Sequence, residues 1–141
     1  MKMEEVTIDA AISSLPGALA SVTEILGRLG VPEKTVRELE LAVDEAVTNI
    51  MLHGYTSLEG LIRLSCRRDG DMVRIRIEDE APPFDPTEVP EPDLGGDADE
   101  RPIGGLGIHF IRKMTDEIRY ERTEGRNILI LGKRIKTSDG R

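Results

Sequence analysis

Glu40-Leu41-Ala42-Val43-Asp44-Glu45-Ala46-Val47-Thr48-Asn49-Ile50-Met51-Leu52-His53-Gly54-Tyr55 is the most informative run of this chain. With the residues before it, Val36, Leu39, Val43, Ala46 and Ile50 recur at helical spacing. They predict a helix from about Glu33 to Leu52, ended by His53-Gly54. Leu41 and Leu52 fall on a different side, so cover on more than one face is expected. Glu45 and Asn49 are four apart and share a face of that helix. Their stripe runs from Leu41 to Leu52, at the edge of buried surface. An ionised carboxylate there is costly unless something pairs with it, and a metal ion or an activated hydroxyl would do so. A solvated helix pair is the ordinary alternative. Asp44 points away from this stripe and reads as structural. His53 reads as a helix-end residue bonding the last carbonyls.

Upstream, Val6, Ile8, Ala10 and Ile12 alternate with polar or small residues, the pattern of a first strand. Ser13-Ser14 offers an N-cap and Pro16 suits a first helical turn. Leu15, Leu19, Val22, Ile25 or Leu26, and Leu29 then recur at helical spacing, with Gly30 and Pro32 as stop signals. Downstream, Leu61 to Arg68 and Met72 to Glu78 alternate around Asp69-Gly70, a hairpin signal.

Residues 86 to 104 are different. They hold four prolines, three glycines and six acids against one base, Arg101, with no periodicity. A segment of this kind inside a compact domain is uncommon and usually functional or disordered, and we read it as a mobile lid. Gly104-Gly105-Leu106-Gly107 then opens a third helix with Leu106, Phe110, Ile111 and Met114 as its buried face. Two last strands come after it, about Glu117 to Arg122 and Asn127 to Arg134, around a Glu124-Gly125 turn. Hairpins mixed with helices imply an α+β fold. The expected architecture is a two-layer sandwich with a mixed, mostly antiparallel sheet and helices on one face.

The chain has 141 residues, enough for one ordinary domain spanning 1–141 and too few for two. Lys plus Arg number 19 and Asp plus Glu 27, a formal net charge of −8. That sign excludes a generic nucleic-acid or anionic-membrane binder. Arg63, Arg67, Arg68, Arg74 and Arg76 form the one dense basic group and read as the outer face of two strands. The single cysteine, Cys66, excludes an internal disulfide, and with two histidines it cannot build a zinc site. No apolar run approaches the roughly 18 residues of a membrane span. The opening Met1-Lys2-Met3-Glu4-Glu5 lacks an apolar signal region. A reduced, cytoplasmic setting is expected. Scarce aromatics argue against base-stacking platforms.

Two further features could carry chemistry. Asp79 ends an alternating strand, where a carboxylate can accept from an amine or simply start a turn. The glycines from Gly104 to Gly107 open a helix, where backbone N–H groups and the dipole favour phosphate. The Walker and dinucleotide signatures are both missing.

A Glu-x-x-x-Asn helix, a hairpin ending in Asp, a lid and a Gly-rich helix start, in this order, resemble the Bergerat-fold, histidine-kinase-like ATPases. The run from Glu40 to Tyr55 resembles their N box. Pro83-Phe84-Asp85-Pro86 and Gly105-Leu106-Gly107-Ile108-His109-Phe110-Ile111-Arg112-Lys113-Met114 fit the branch of anti-sigma-factor serine/threonine kinases. The resemblance covers about residues 5 to 135.

This resemblance implies ATP or ADP and Mg²⁺ as cofactors. It makes Glu45 the general base toward a serine hydroxyl and Asn49 the Mg²⁺ ligand. Asp79 would accept the adenine amino group, with Ala81 and Pro83 in the same box and Asn127 near the base. Gly104, Gly105, Leu106, Gly107 and Ile108 would cradle phosphates, and Arg101 is the lid's cation. The family's second box usually reads Asp-x-Gly-x-Gly, but Ala81 and Pro83 occupy the glycine positions here. A Cβ and a missing N–H are therefore expected to alter the adenine pocket. The implied partners are a sigma factor or similar regulator and an anti-anti-sigma protein, with a homodimer as the assembly. The implied activity is serine kinase turnover in a partner-switching system. The alternative is a nucleotide-binding or nucleotide-free sequestering module without turnover.

Overall fold

The computed structural model describes residues 3–51, 60–83, 85 and 111–135. Strand β1 spans Met3–Asp9, and a 3₁₀ turn, Ile12–Ser14, leads into α1, Leu15–Arg28. Helix α2 is Glu33–Asn49. The remaining strands are β2, Leu61–Asp69, β3, Met72–Asp79, β4, Glu117–Thr123, and β5, Arg126–Arg134. Residues 111–114 are helical. The five strands form one sheet in the order β1-β2-β3-β5-β4, and every pairing is antiparallel. The α+β expectation holds, with no parallel pair among the described residues.

One face of the sheet makes the core. Ile62, Leu64 and Cys66 of β2, Val73, Ile75 and Ile77 of β3, and Leu129 and Leu131 of β5 are buried there. Their spacing of two puts them on a single side. Val22, Ile25 and Leu26 of α1 and Val36, Leu39, Val43 and Val47 of α2 belong to the same cluster. Polar ties help to fix the helix layer. Thr23 of α1 donates to Glu40 of α2, and Lys133 of β5 lies 3.6 Å from Glu38 of α2. Burial pushes the Cys66 thiol up to about 12, so it behaves as a small core residue.

The turns obey local chemistry. Gly70 holds φ +63 at the start of the β2–β3 loop. Glu124 and Gly125, at φ 50 and 78, form the two-residue β4–β5 loop. Two consecutive left-handed residues match the twist of a tight hairpin.

Three details differ from the sequence reading. Ser14 occupies the N-cap position of α1 but makes no side-chain cap, because it already lies in the α conformation at the end of the 3₁₀ turn. Leu41 is 37% exposed, so that side of α2 is open rather than covered. Arg68 does not share the outer face with Arg63, Arg67, Arg74 and Arg76. It pairs with Val73 on the helix side, and its Nη1 donates to Leu29 O and Gly30 O at 2.9 Å each. It thus satisfies carbonyls that the end of α1 leaves open, where positive charge also suits the helix dipole.

Leu39→Ala, in the buried stripe, is expected to cost about 2–5 kcal/mol in urea unfolding. Leu41→Ala, two residues on, is expected to stay within about 0.5 kcal/mol of the parent. Equal costs would mean that the exposed and buried faces of α2 are wrongly assigned.

Candidate functional site

Adjacent acids at the end of β3 enter opposite environments. Glu78 faces away from the helices, and Asp79 faces the core side with Ile77 and Ile75. Arg63 Nη1 lies 3.2 Å, Arg76 Nη1 2.7 Å and Arg126 Nη1 3.1 Å from the Glu78 carboxylate. Burial alone would raise the Glu78 pKa, but Arg126, Arg76 and Arg63 outweigh it and hold the group below its ordinary range.

Asp79 is 4% exposed. Its Oδ1 accepts from Ala81 N–H at 2.9 Å and from Asn127 Nδ2 at 2.9 Å. Among the described residues Oδ2 has no hydrogen-bond partner. Burial dominates and raises its pKa, against the lowering effect of Asn127, the Ala81 amide and the charge of Arg122. The result is a buried acceptor with one oxygen fixed and one open.

Asn127 lies directly opposite Asp79 in the β3–β5 register and opposite Arg122 in the β4–β5 register. Its Nδ2 also approaches Ala81 O and Pro82 O at 3.1 Å each. Tyr120 Oη donates to Asn127 Oδ1 at 2.5 Å, and Arg122 Nη1 donates to Ala81 O at 2.7 Å. Ala81 is therefore buried, at 1% exposure, with its N–H and its C=O both engaged. Pro83 is exposed. Asp79, Ala81 and Asn127 are thus joined in one hydrogen-bonded cluster. Tyr120 and Arg122, which sequence reasoning misses, complete it. Their signal is non-local, since only the strand register brings them to Asn127.

On α2, Glu45 is half-buried and Asn49 is 5% exposed. Burial, and then the charge of Asp44, raise the Glu45 pKa. Thr48 Oγ1 donates to Asp44 at 3.3 Å, so Asp44 is held by its own helix, in keeping with a structural reading. Among the described residues, neither the Glu45 carboxylate nor the Asn49 amide has a hydrogen-bond partner. A buried amide without a partner costs about 1–3 kcal/mol, so Asn49 is placed where a ligand could satisfy it. A single oxygen donor suits Mg²⁺, which commonly takes one or two protein ligands and completes its shell with water and phosphate. No cluster of three or more His, Cys, Asp or Glu able to hold a metal exists among the described residues. The helix continues past Asn49 in π-helical form at Ile50 and Met51, a feature frequent at functional sites.

Arg101, Gly104, Gly105, Leu106, Gly107 and Ile108, and the lid expected at 86–104, lie outside the described residues. So do His53, Phe84 and His109.

The chain as a whole has counterparts among known proteins. Residues 8–133 match the model of the histidine kinase-like ATPase domain. The chain belongs to the histidine kinase-like ATPase family. Among its relatives, the serine-protein kinase RsbW of Listeria monocytogenes serovar 1/2a is 30% identical over 115 residues, covering 78% of this chain and 73% of that one. The serine/threonine-protein kinase BtrW of Bordetella bronchiseptica is 33% identical over 94 residues, 66% of each chain. The anti-sigma F factor of Thermoanaerobacter sp. is 28% identical over 95 residues, covering 67% of this chain and 66% of that one. These relatives put this histidine kinase-like ATPase in the anti-sigma kinase branch. The solved RsbU and RsbW domains of Rv1364c from Mycobacterium tuberculosis share the fold, with a TM-score of 0.68 at 21% identity over 96% of this chain. This chain spans 33% of that solved chain. No helix among the described residues is long and apolar enough to cross a membrane.

Asn49→Leu removes a buried amide that has no partner among the described residues, so the nucleotide-free variant is expected to unfold at equal or higher urea concentration than the parent. A clear loss of stability would mean that Asn49 has a structural partner. Glu78→Gln is expected to destabilise at neutral pH, because a carboxylate with a lowered folded pKa stabilises above its ordinary range. The deficit should shrink as pH falls through the folded pKa of Glu78, where the parent protonates too. A deficit independent of pH would show that charge is not its cause.

Proposed function

We propose that this chain is an ATP- and Mg²⁺-dependent protein serine kinase of a partner-switching system. It holds a sigma factor or similar regulator in one state. In another it phosphorylates a small anti-anti-sigma partner on serine. The relatives' names, serine-protein kinase and anti-sigma F factor, support the substrate class and the regulated target. A homodimer is the proposed assembly.

One observation carries the reading. Helix α2 presents a half-buried carboxylate, Glu45, one turn before a buried amide, Asn49, that has no partner among the described residues. Glu45 is the proposed general base. It takes the proton of the serine hydroxyl as that oxygen bonds to the γ-phosphorus and ADP departs with the bridging oxygen. A base works best when its pKa lies nearer the working pH, and burial moves Glu45 in that direction. Asn49 is the proposed protein ligand of Mg²⁺. The ion, when bound, neutralises phosphate charge. Asp79 Oδ2 is the proposed acceptor for the adenine amino group. Gly104, Gly105, Leu106, Gly107 and Ile108 are proposed to line the phosphates, with Arg101 in the lid.

The second reading is a sequestering module that binds nucleotide, or none, without turnover. The buried Ala81 in place of a glycine favours it. Glu45, without a partner among the described residues, favours turnover, since a module that only sequesters needs no base.

Calorimetric titration with ADP and Mg²⁺ is the first test, with binding expected. Asp79→Asn should abolish it while the fold persists. Ala81 N–H and Asn127 Nδ2 both point at Oδ1, so the new amide oxygen must sit there. The NH₂ then meets the ligand's amine, donor against donor. Glu45→Gln should keep ADP binding and lose about 10²–10⁴-fold in partner phosphorylation. The rate should rise with pH as Glu45 deprotonates, above the ordinary glutamate range. Asp44→Asn should move that limb to lower pH. Tight ADP binding with no phosphorylation of any serine-bearing partner would favour the sequestering module. No binding at millimolar nucleotide would remove the ATP site.

A further inference from the structure

We propose that Tyr120 and Arg122 are positioning residues that lock the Asp79 carboxylate and thereby impose selection for an amino-bearing purine over one with a carbonyl at the same edge. This rests on the nucleotide-binding reading above and adds to it the origin of base selectivity.

Tyr120 and Arg122 are two apart on β4 and share the core side of the sheet, opposite Leu129 and Asn127. The Asn127 amide faces three acceptors through Nδ2, namely Asp79 Oδ1, Ala81 O and Pro82 O. That environment fixes which end of the amide is nitrogen. Oδ1 then points the other way and accepts only. The Tyr120 hydroxyl must therefore donate to it, as the 2.5 Å contact shows. Arg122 Nη1 holds Ala81 O at 2.7 Å, and Ala81 N–H returns to Asp79 Oδ1 at 2.9 Å. Two chains of hydrogen bonds, Tyr120 to Asn127 to Asp79 and Arg122 to Ala81 to Asp79, thus converge on one carboxylate oxygen.

Spending Oδ1 twice leaves Oδ2 to define the ligand's chemistry. An ionised oxygen accepts and never donates. Adenine offers an exocyclic amine there. Hypoxanthine offers a carbonyl oxygen, which would face the carboxylate without a hydrogen between them. A buried polar group left unpaired is costly, so a site built around one hydrogen bond rejects the analogue that lacks it. The bond to the amine is strongest while the carboxylate is held in line with it. A free Asp79 could tilt away from the ligand. In a chain with Ala81 and Pro83 where the family box carries glycines, side chains from β4 and β5 supply this restraint.

The test is titration of the full chain with ADP and with IDP, each with Mg²⁺, for the parent, Tyr120→Phe and Arg122→Met. Tyr120→Phe keeps the ring packed against the core and removes only the hydroxyl. Arg122 is exposed, so its loss should leave folding intact. The parent should prefer ADP by about 10²-fold or more. In Tyr120→Phe, ADP affinity should fall about tenfold while IDP stays within about twofold, so that discrimination collapses from the ADP side. Arg122→Met should show the same asymmetry at about threefold. Equal weakening of both nucleotides would mark a merely structural role and overturn the proposal, as would no change in either. A parent that binds neither nucleotide overturns the nucleotide reading, and this proposal with it. A parent that binds ADP beside variants with unchanged discrimination overturns this proposal alone.

Discussion

Strand β3 alternates between two faces of the sheet, and the placement of every other group depends on that alternation. Ile75 and Ile77 bind the strand to the helix side. With that parity fixed, Asp79 must face inward and Glu78 outward. A slip of one residue would exchange them. Glu78 would enter the core without Arg63 and Arg126 of the neighbouring strands, and Asp79 would lose Asn127. The burial of two isoleucines therefore sets the opposite pKa shifts of two neighbouring acids, one lowered and one raised.

The outer arginines have a structural use that their number in a net acidic chain does not announce. Arg63, Arg76 and Arg126 come from three adjacent strands and meet at one buried carboxylate. They tie β2, β3 and β5 together at the end of the sheet that carries Asp79. A surface ion pair contributes little alone, but several charges gathered on one shielded carboxylate can contribute more. On the other face, Arg68 closes the end of α1 instead. The same residue type thus braces both layers, and strand parity decides which one.

Local patterns make most of this architecture legible. The period of α2, the alternation of β2 and β3 and the Gly turns are all readable, because each is set within a few residues. Glu45, Asn49 and Asp79 are legible as candidates for the same reason. Misreadings arise where distant segments meet. Arg67 and Arg68 are adjacent, so a strand must send them to opposite faces, and grouping them by composition ignores that parity. Leu41 promises a covered face on α2, but helical periodicity marks apolar residues and does not supply a neighbour. Tyr120 and Arg122 carry no motif. They matter only because β5 returns between β3 and β4, which sets Asn127 opposite Asp79 on one side and Arg122 on the other.

Helix α2 shows why the end of an element can carry its chemistry. Up to Val47 every apolar residue of the main stripe is buried and the helix is regular. Asn49 then enters the buried zone without a partner among the described residues, and the backbone widens into a π turn at Ile50 and Met51. A buried amide left without a partner costs stability. Sequences tolerate such local violations chiefly at functional sites. With Glu45 half-buried one turn earlier, the C-terminal end of α2 is a part of this fold that packing among the described residues does not account for.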